Sequence, residues 1–531
     1  MPLVSSLSSN NLAAPGAFVQ LNVATGIVAN GAPSNVVAII GYGTKGQFNV
    51  PIRVSCSSSQ SLAPVYRAIG TGTTGSYSMA RMATTMFPLA TEFLFVRIGD
   101  GSQVSATANM LDAANATLLT LIAQDEGTNG NGITSNWALT SGTLALNPVF
   151  SLSVFTPNGS TQTFSSLKGS LPGGAYDATI LKPNALNAVN GLTKGVTGSQ
   201  DVIAMPGPGT AAPLTGTVFT ASGGADGALG LTQQSLVGVA SSAGGSGVNA
   251  LVGFAFSILA PADADPSIAQ ELYQFVAIRG GIACVSAPPN LTTDQMLALK
   301  ALDNATAQRV LFCADWINEA DAVSGAASMQ VCPAGAVGAV YASLDPWLDG
   351  ANKPVTGIPG VLSTERTAYN PVDPFGEGAT RFQNGIIYAT NSMPRGGGIY
   401  GLPHGMMSDG VTSASDVRMG DLVASIALQV LGKAVGDGQT PLPKTGFDYD
   451  LTRETTENAL NQAYEPFLNR ADPHLANLSV TFIGTNGDIA AGRFPWAIVG
   501  QTLAGIKFAF AAVTVGTSVT IDNTNALGLA A

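Results

Sequence analysis

The chain is short of charge. Of its 531 residues 22 are basic and 33 acidic, so that 10% are charged, where an ordinary soluble domain carries roughly a quarter. That scarcity excludes a disordered acidic tail protein. The net charge of −11 argues equally against a nucleic-acid binder with a basic stripe and against attachment to anionic lipid. Histidine is rarer still, with only His404 and His474, so any Ser/His/Asp relay must use one of these two. No GxSxG nucleophile elbow occurs anywhere, which removes the usual hydrolase signature. The four cysteines, Cys56, Cys284, Cys313 and Cys332, show no CxxC spacing and lie in or beside apolar runs. They read as small buried side chains in a reducing compartment, not as a disulfide scaffold or metal set. Long apolar runs are missing as well: the best, Phe494 to Gly516, contains Pro495, Gln501 and Lys507, whereas a spanning helix needs roughly 20 mostly apolar residues. The opening MPLVSSLSSNNLAAPG has neither a basic nor an apolar signal region, so the expectation is a protein made in a cytoplasm without stable membrane insertion.

What is present is length and small residues. At roughly 100 to 200 residues per domain, the chain is long enough for three or four compact units. A surface poor in charge costs little to desolvate and suits burial against other subunits. Residues 1–30, rich in Ser, Asn, Ala and Gly, read as an extended arm with one strand candidate, Phe18, Val19, Gln20, Leu21 to Val23. From Val36 an αβ pattern begins: an apolar strand Val36 to Ile40, a helix marked by Met79, Met82 and Met86, and a strand Phe93 to Ile98, completing a first core segment over 31–101. Over 102–235 the texture changes to Thr/Leu/Val alternation broken by Gly and Asn, with a hairpin signal at Pro157, Asn158 and Gly159, which predicts an inserted β-rich domain. The αβ pattern returns over 236–400. It holds strand Phe254 to Leu259, a helix capped by Asp265 and Pro266 and stopped by Gly280 and Gly281, strands Ile282 to Ser286, Arg309 to Cys313 and Ser328 to Cys332, and a helix near Thr293 to Leu302. Strands separated by helices predict a mostly parallel sheet covered on both faces. The stretch Thr356 to Asp409, rich in Gly and Pro, reads as an excursion. Helices Ser415 to Ala434 and Thr452 to Ala471 and strands Leu478 to Ile483 and Ile506 to Val515 predict a C-terminal α+β domain over 401–516, followed by a second arm, 517–531, with Val519, Thr520 and Ile521 as its strand.

Three constellations bear on chemistry. Gly41, Gly43 and Gly46 in GYGTKG fit GxGxxG after a strand, but QFNVPIRV follows where a dinucleotide site needs a helix, so the reading is a structural turn. His404, in YGLPHGMMSDG with Asp409 close behind, reads as a loop histidine rather than a base. The carboxylate clusters Asp263/Asp265, Asp345/Asp349, Asp448/Asp450 and Glu454/Glu457 lack calcium-loop spacing and have no His or Cys placed to complete a metal set. Arg453, Glu454 and Glu457 read as a solvated helix face or as an electrostatic contact with a partner protein. Composition and pattern thus point to assembly, with neither catalysis nor a cofactor expected.

Five landmarks in order resemble the tail sheath proteins of contractile phages and related contractile injection machines: APGAFVQLN, VVAIIGYGTKGQFNVPIRV, GTNGNGI, SGGADGALG with Gly223, Gly224, Asp226 and Gly227, and VCPAGAVGAVYASLDPWLDGANKPVTG with Pro333, Gly335, Val337, Gly338, Tyr341, Ala342 and Asp345. The resemblance implies a multidomain α/β fold: a subtilisin-like core that has lost its catalytic residues, an inserted β domain lying outermost, a C-terminal α+β domain facing an inner tube, and terminal arms. It further implies a helical homo-oligomer in the virion tail, assembled in the host cytoplasm and linked by arm strands Phe18 to Val23 and Val519 to Ile521. The tail tube protein, reached through Arg453, Glu454 and Glu457, and the baseplate and tail terminator proteins would be its partners. Two rival readings stand beside it: a hydrolase that retains subtilisin-like chemistry with His404 as base, and an exported surface-layer protein.

Overall fold

The computed structural model describes residues 35–56, 61–72, 76–157, 159–192, 197–241, 244–321, 325–355, 361–365, 376–390, 400–436, 447–468, 474–485, 496–502, 512–515 and 519–522. The chain forms two compact units that meet in sequence at Gln429 and Val430.

The first unit is built on a seven-stranded sheet. Its strands run, in spatial order, Ile386–Tyr388, Val310–Ala314, Ile282–Ser286, Ile258–Leu259, Val36–Gly41, Glu92–Arg97 and Ile52–Ser55. All neighbours are parallel except the last pair, which is antiparallel. The sequence dictates this burial: VVAIIG, IACVS and VLFCA have no polar alternation, and every one of their residues is buried, as strands sandwiched between helices require. Alternate side chains serve opposite layers. Val37, Ile39 and Cys284 pack with helices Met79–Met86 and Pro333–Ser343, while Val36, Ala38 and Val285 pack with helices Ala269–Arg279 and Thr293–Leu302. Helix Pro333–Ser343 is buried along almost its whole length. A Cβ at Gly335 would stand 2.8 Å from the sulfur of Met82, so glycine there sets how closely the two helices approach.

Residues 105–221 carry a separate core. One sheet has the order Val218–Thr220, Thr134–Thr143, Leu146–Phe155, Thr161–Lys168, and a second has Ser105–Leu111, Thr117–Glu126, Val202–Pro206. All pairs are antiparallel. Trp137, Phe150, Leu119 and Leu181 fill the space inside. Pro157 and Gly159, the latter at φ +79°, lie between the paired strands Leu146–Phe155 and Thr161–Lys168.

Several elements differ from expectation. Met329–Val331 joins a small antiparallel sheet with Ile317–Glu319 and Val361–Thr364 rather than the main sheet. Ile386–Tyr388, inside the supposed excursion, is the main sheet's edge strand, too short to show a period. Helix Ala178–Val189 was hidden by Pro183, although its Asp177 cap accepts from the Thr179 amide at 2.8 Å. Residues expected to begin the C-terminal domain instead complete the first unit: Leu402, Met407, Ala414 and Val417 belong to its core.

Irregular segments are fixed to the sheet by buried charge. Arg381, with a fully buried side chain, donates from Nη1 and Nη2 to Asp315 at 2.6 and 3.2 Å and from Nε to Thr293 at 2.8 Å. Arg309 makes a two-pronged contact with Asp421, at 2.9 and 2.8 Å. Removing one partner of such a pair strands the other charge in a low-dielectric interior. Asp315→Ala is therefore expected to lower unfolding free energy in urea by ~3–5 kcal/mol. A loss under about 1 kcal/mol, the level of an exposed pair, would contradict that role.

Candidate functional site

In open α/β sheets ligands settle at the carboxyl ends of the strands. Here that region holds a cleft of about 310 Å³, lined by Ser78, Arg81, Thr85, Asp263, Trp316 and Cys332 among others. Ser78, Thr85, Asp263 and Trp316 are already engaged, whereas the buried Nε of Arg81 has no hydrogen-bond partner. The Ser78 hydroxyl caps helix Met79–Met86 by accepting from the Arg81 amide at 3.3 Å, and it donates to the Gly72 carbonyl. Asp263 accepts from the Tyr77 amide at 2.6 Å, and burial raises its carboxyl above the ordinary range. Cys332 precedes helix Pro333–Ser343, where a thiolate would be favoured by the helix terminus. Burial first, and then the charge of Asp263, instead push its thiol up to about 12. Neither the serine nor the thiol is activated, and no imidazole lines the cleft.

His404 lies elsewhere. Its Nε2 donates to the Ile386 carbonyl at 3.0 Å, its Nδ1 accepts from the Met406 amide at 3.3 Å, and its ring meets Phe382 and Tyr388 edge to face. Burial drives its pKa down to about 4. Asp409 does not orient it; that carboxylate accepts from Val411, Thr412 and the Thr412 hydroxyl. With both ring nitrogens committed, His404 has no lone pair for a substrate proton. All four cysteines are free and buried. Among the described residues no group of three or more His, Cys, Asp or Glu is placed to hold a metal ion, and no helix is long and apolar enough to cross a membrane. The GYGTKG turn leads into strand Ile52–Ser55, with Gly41 and Gly43 pressed against the Tyr77 and Ile69 carbonyls. It packs the backbone and leaves no room for a pyrophosphate.

Behind the cleft, Thr85 donates to Glu319 at 2.6 Å. Glu319 is almost fully buried, and its pKa rises from 4.5 to about 7, mainly through desolvation. The folded protein then binds more protons than the unfolded chain between those two values, so stability falls as pH rises from 4.5 to about 7 and levels off above. Glu319→Gln is expected to remove that slope, gaining on the order of 3 kcal/mol at pH 8 and little at pH 4. Thermal denaturation across this range checks it; equal effects at both ends would contradict a buried carboxyl that holds its proton well above the ordinary range.

The second unit offers backbone rather than side-chain chemistry. Helix Phe447–Leu468 packs on a two-stranded antiparallel sheet, Leu475–Phe482 with Trp496–Thr502. Leu460, Tyr464, Leu475 and Val480 are buried. The second of these strands lies in the apolar stretch weighed as a membrane span. Among the described residues this sheet consists of these two strands. Two strands alone are marginal in water. On the helix, Arg453 stands 3.9 Å from Asp450, both partly exposed, Glu454 is exposed and Glu457 half-buried. Val519, Thr520 and Ile521 lie in strand Val519–Asp522, which pairs antiparallel with Ala512–Val515 of the same chain. Phe18, Val19, Gln20, Leu21 and Val23 lie outside the described residues.

No protein-family model matches the chain, and no curated protein matches it in sequence. Solved structures do. The sheath tail protein of Listeria innocua superposes with a TM-score of 0.58 at 13% identity, covering 89% of this chain and 96% of that one. The sheath tail protein of Desulfitobacterium hafniense gives 0.53 at 12% identity, covering 90% and 97%. The chain therefore has the fold of a sheath tail protein over nearly its whole described length.

Proposed function

We propose that this chain is a structural subunit of a contractile tail sheath, polymerising helically around an inner tube and contracting to drive that tube through a host envelope. The observation that carries the proposal is the fold shared with two sheath tail proteins over 89% and 90% of the chain. Strand addition to the two-stranded sheet of the second unit would supply a means of assembly. Strand addition uses main-chain hydrogen bonds, so arms poor in distinctive side chains suffice. In this reading Phe18 to Val23 and Val519 to Ile521 add to the sheet edges of neighbouring copies. For the C-terminal arm this requires the hairpin Ala512–Val515/Val519–Asp522 to use an outer edge or to open. A head-to-tail contact that does not close on itself builds an open helix.

The core is read as subtilisin-like and without catalysis, residues 102–235 as the outermost decoration, and the C-terminal domain as facing the tube through Arg453, Glu454 and Glu457. Partners are other copies of the chain, the tail tube protein, and the baseplate and tail terminator proteins. The location is the virion tail, after assembly in the host cytoplasm. The extended lattice is a metastable packing that gives way to a shorter, wider one while the arms keep neighbours joined.

Deleting residues 1–25 is expected to leave a folded subunit, with unchanged circular dichroism and cooperative melting, that forms no striated hollow tubes in negative stain. Long tubes from the truncated protein would contradict the arm mechanism. A serine-directed phosphonate is expected to label nothing; labelling abolished by His404→Ala would overturn the non-enzymatic reading.

A further inference from the structure

The chain leaves the core sheet at the end of strand Glu92–Arg97, builds the β-rich part, and returns through residues 222–231. The two crossings lie side by side. Val104 and Ala225 exchange both backbone hydrogen bonds at 3.0 Å, the Asp100 amide donates to the Gly227 carbonyl at 2.9 Å, and the Gly230 amide donates to the Asp100 carboxylate at 2.8 Å. Backbone pairing of this kind, in exposed loops, opens readily by itself.

Beneath it lies one buried guanidinium. The Arg97 side chain is 1% exposed and sits 4.0 Å from the centre of the Phe48 ring. Its Nη1 donates to the carbonyls of Gly46 at 2.7 Å and Glu126 at 2.6 Å, and its Nη2 to Asp226 Oδ1 at 3.1 Å. Gly46 belongs to the core's glycine turn, Glu126 to the inserted part, and Asp226 to the returning crossing. Asp226 in turn accepts from the Thr128 amide at 2.8 Å, the Thr128 hydroxyl at 2.6 Å and the Tyr42 hydroxyl at 3.0 Å. Between the two charges stands Gly127, at φ +121°, where a Cβ would fall 2.3 Å from Asp226 Oδ1 and 2.5 Å from Arg97 Nη2. The site has no room for a ligand and no reacting group. What it does is tie three segments, distant in sequence, at the only place where the β-rich part joins the core by covalent chain.

We infer that Arg97 and Asp226 form a locked joint that makes the β-rich part (residues 105–221) and the core sheet one mechanical body, with Arg97 the positioning residue. This goes beyond the sheath reading and does not depend on it. Lysine at position 97 keeps the charge but, with a single ammonium on a flexible stem, cannot reproduce the planar fork. Hydrogen exchange on the full chain is the test. In Arg97→Lys, amides in 98–104 and 222–231 are expected to exchange about tenfold faster, while peptides spanning Ile282–Ser286 and Leu146–Phe155 keep wild-type protection. Arg309→Lys, which weakens a pair inside the core, serves as the control and leaves the crossings protected. Even acceleration across all regions, or crossings that open no more than in the control, would overturn the inference. If Arg97→Lys does not fold, Thr128→Ala removes a hydroxyl from an exposed residue and is expected to give a smaller acceleration confined to the same two segments; no local change, or a uniform one, would overturn it equally.

Discussion

Charge is scarce in this chain, and a notable part of it is spent inside. Arg97 with Asp226, Arg309 with Asp421 and Arg381 with Asp315 are all buried pairs, and they join residues 129, 112 and 66 positions apart. Burial of this kind is tolerated only when each charge meets its partner and its remaining donors find acceptors. The three arginines find acceptors in the carbonyls of Gly46, Glu126 and Gly281 and in the Thr293 hydroxyl, while the buried Nε of Arg97 has none. Hydrophobic strands hold the sheet, but they cannot say where a loop of glycine and serine should lie. The ion pairs do. One fixes the crossings to the β-rich part, one anchors the start of helix Ala414–Gly436, and one seats the segment that ends in the edge strand Ile386–Tyr388. The rest of the first unit depends on these three points.

What could be read from the residues divides along physical lines. Fully apolar runs such as VVAIIG and IACVS announce buried parallel strands, and punctuation such as Asp265, Pro266 and the Thr292/Gln295 capping box announces helix starts. The mostly parallel sheet and its two helical layers were legible for that reason. Ile386–Tyr388 and Met329–Val331, three residues each, carry no period and become strands only because a neighbouring edge is available. Arg97, Arg309 and Arg381 were invisible as partners, since nothing in a sequence marks which of 22 basic residues will be buried. Asp226 was noticed only as part of a glycine-rich landmark, and its carboxylate turns out to be the reason that Gly127 must lack a side chain.

The functional surface was the least legible part, and the physics explains why. An active site betrays itself through activated side chains. Here Cys332 is held as a neutral thiol, Ser78 is a helix cap and His404 is a sealed core residue. In the proposed reading, assembly by strand addition draws on amides and carbonyls that every residue possesses, so the proposed arm strands Phe18 to Val23 and Val519 to Ile521 carry no chemical signature beyond β propensity. The fold shared with sheath tail proteins is what supports the proposed reading where the side chains are silent.

Central to this account is that backbone edges of the second unit are completed by other copies of the same chain. The most direct measurement is an electron cryomicroscopy map of the assembled protein, at a resolution that traces the main chain. The account predicts extra strands from neighbouring copies against the outer edges of Leu475–Phe482 and Trp496–Thr502. A map in which both edges are bare, and both chain ends fold against their own subunit, would contradict it.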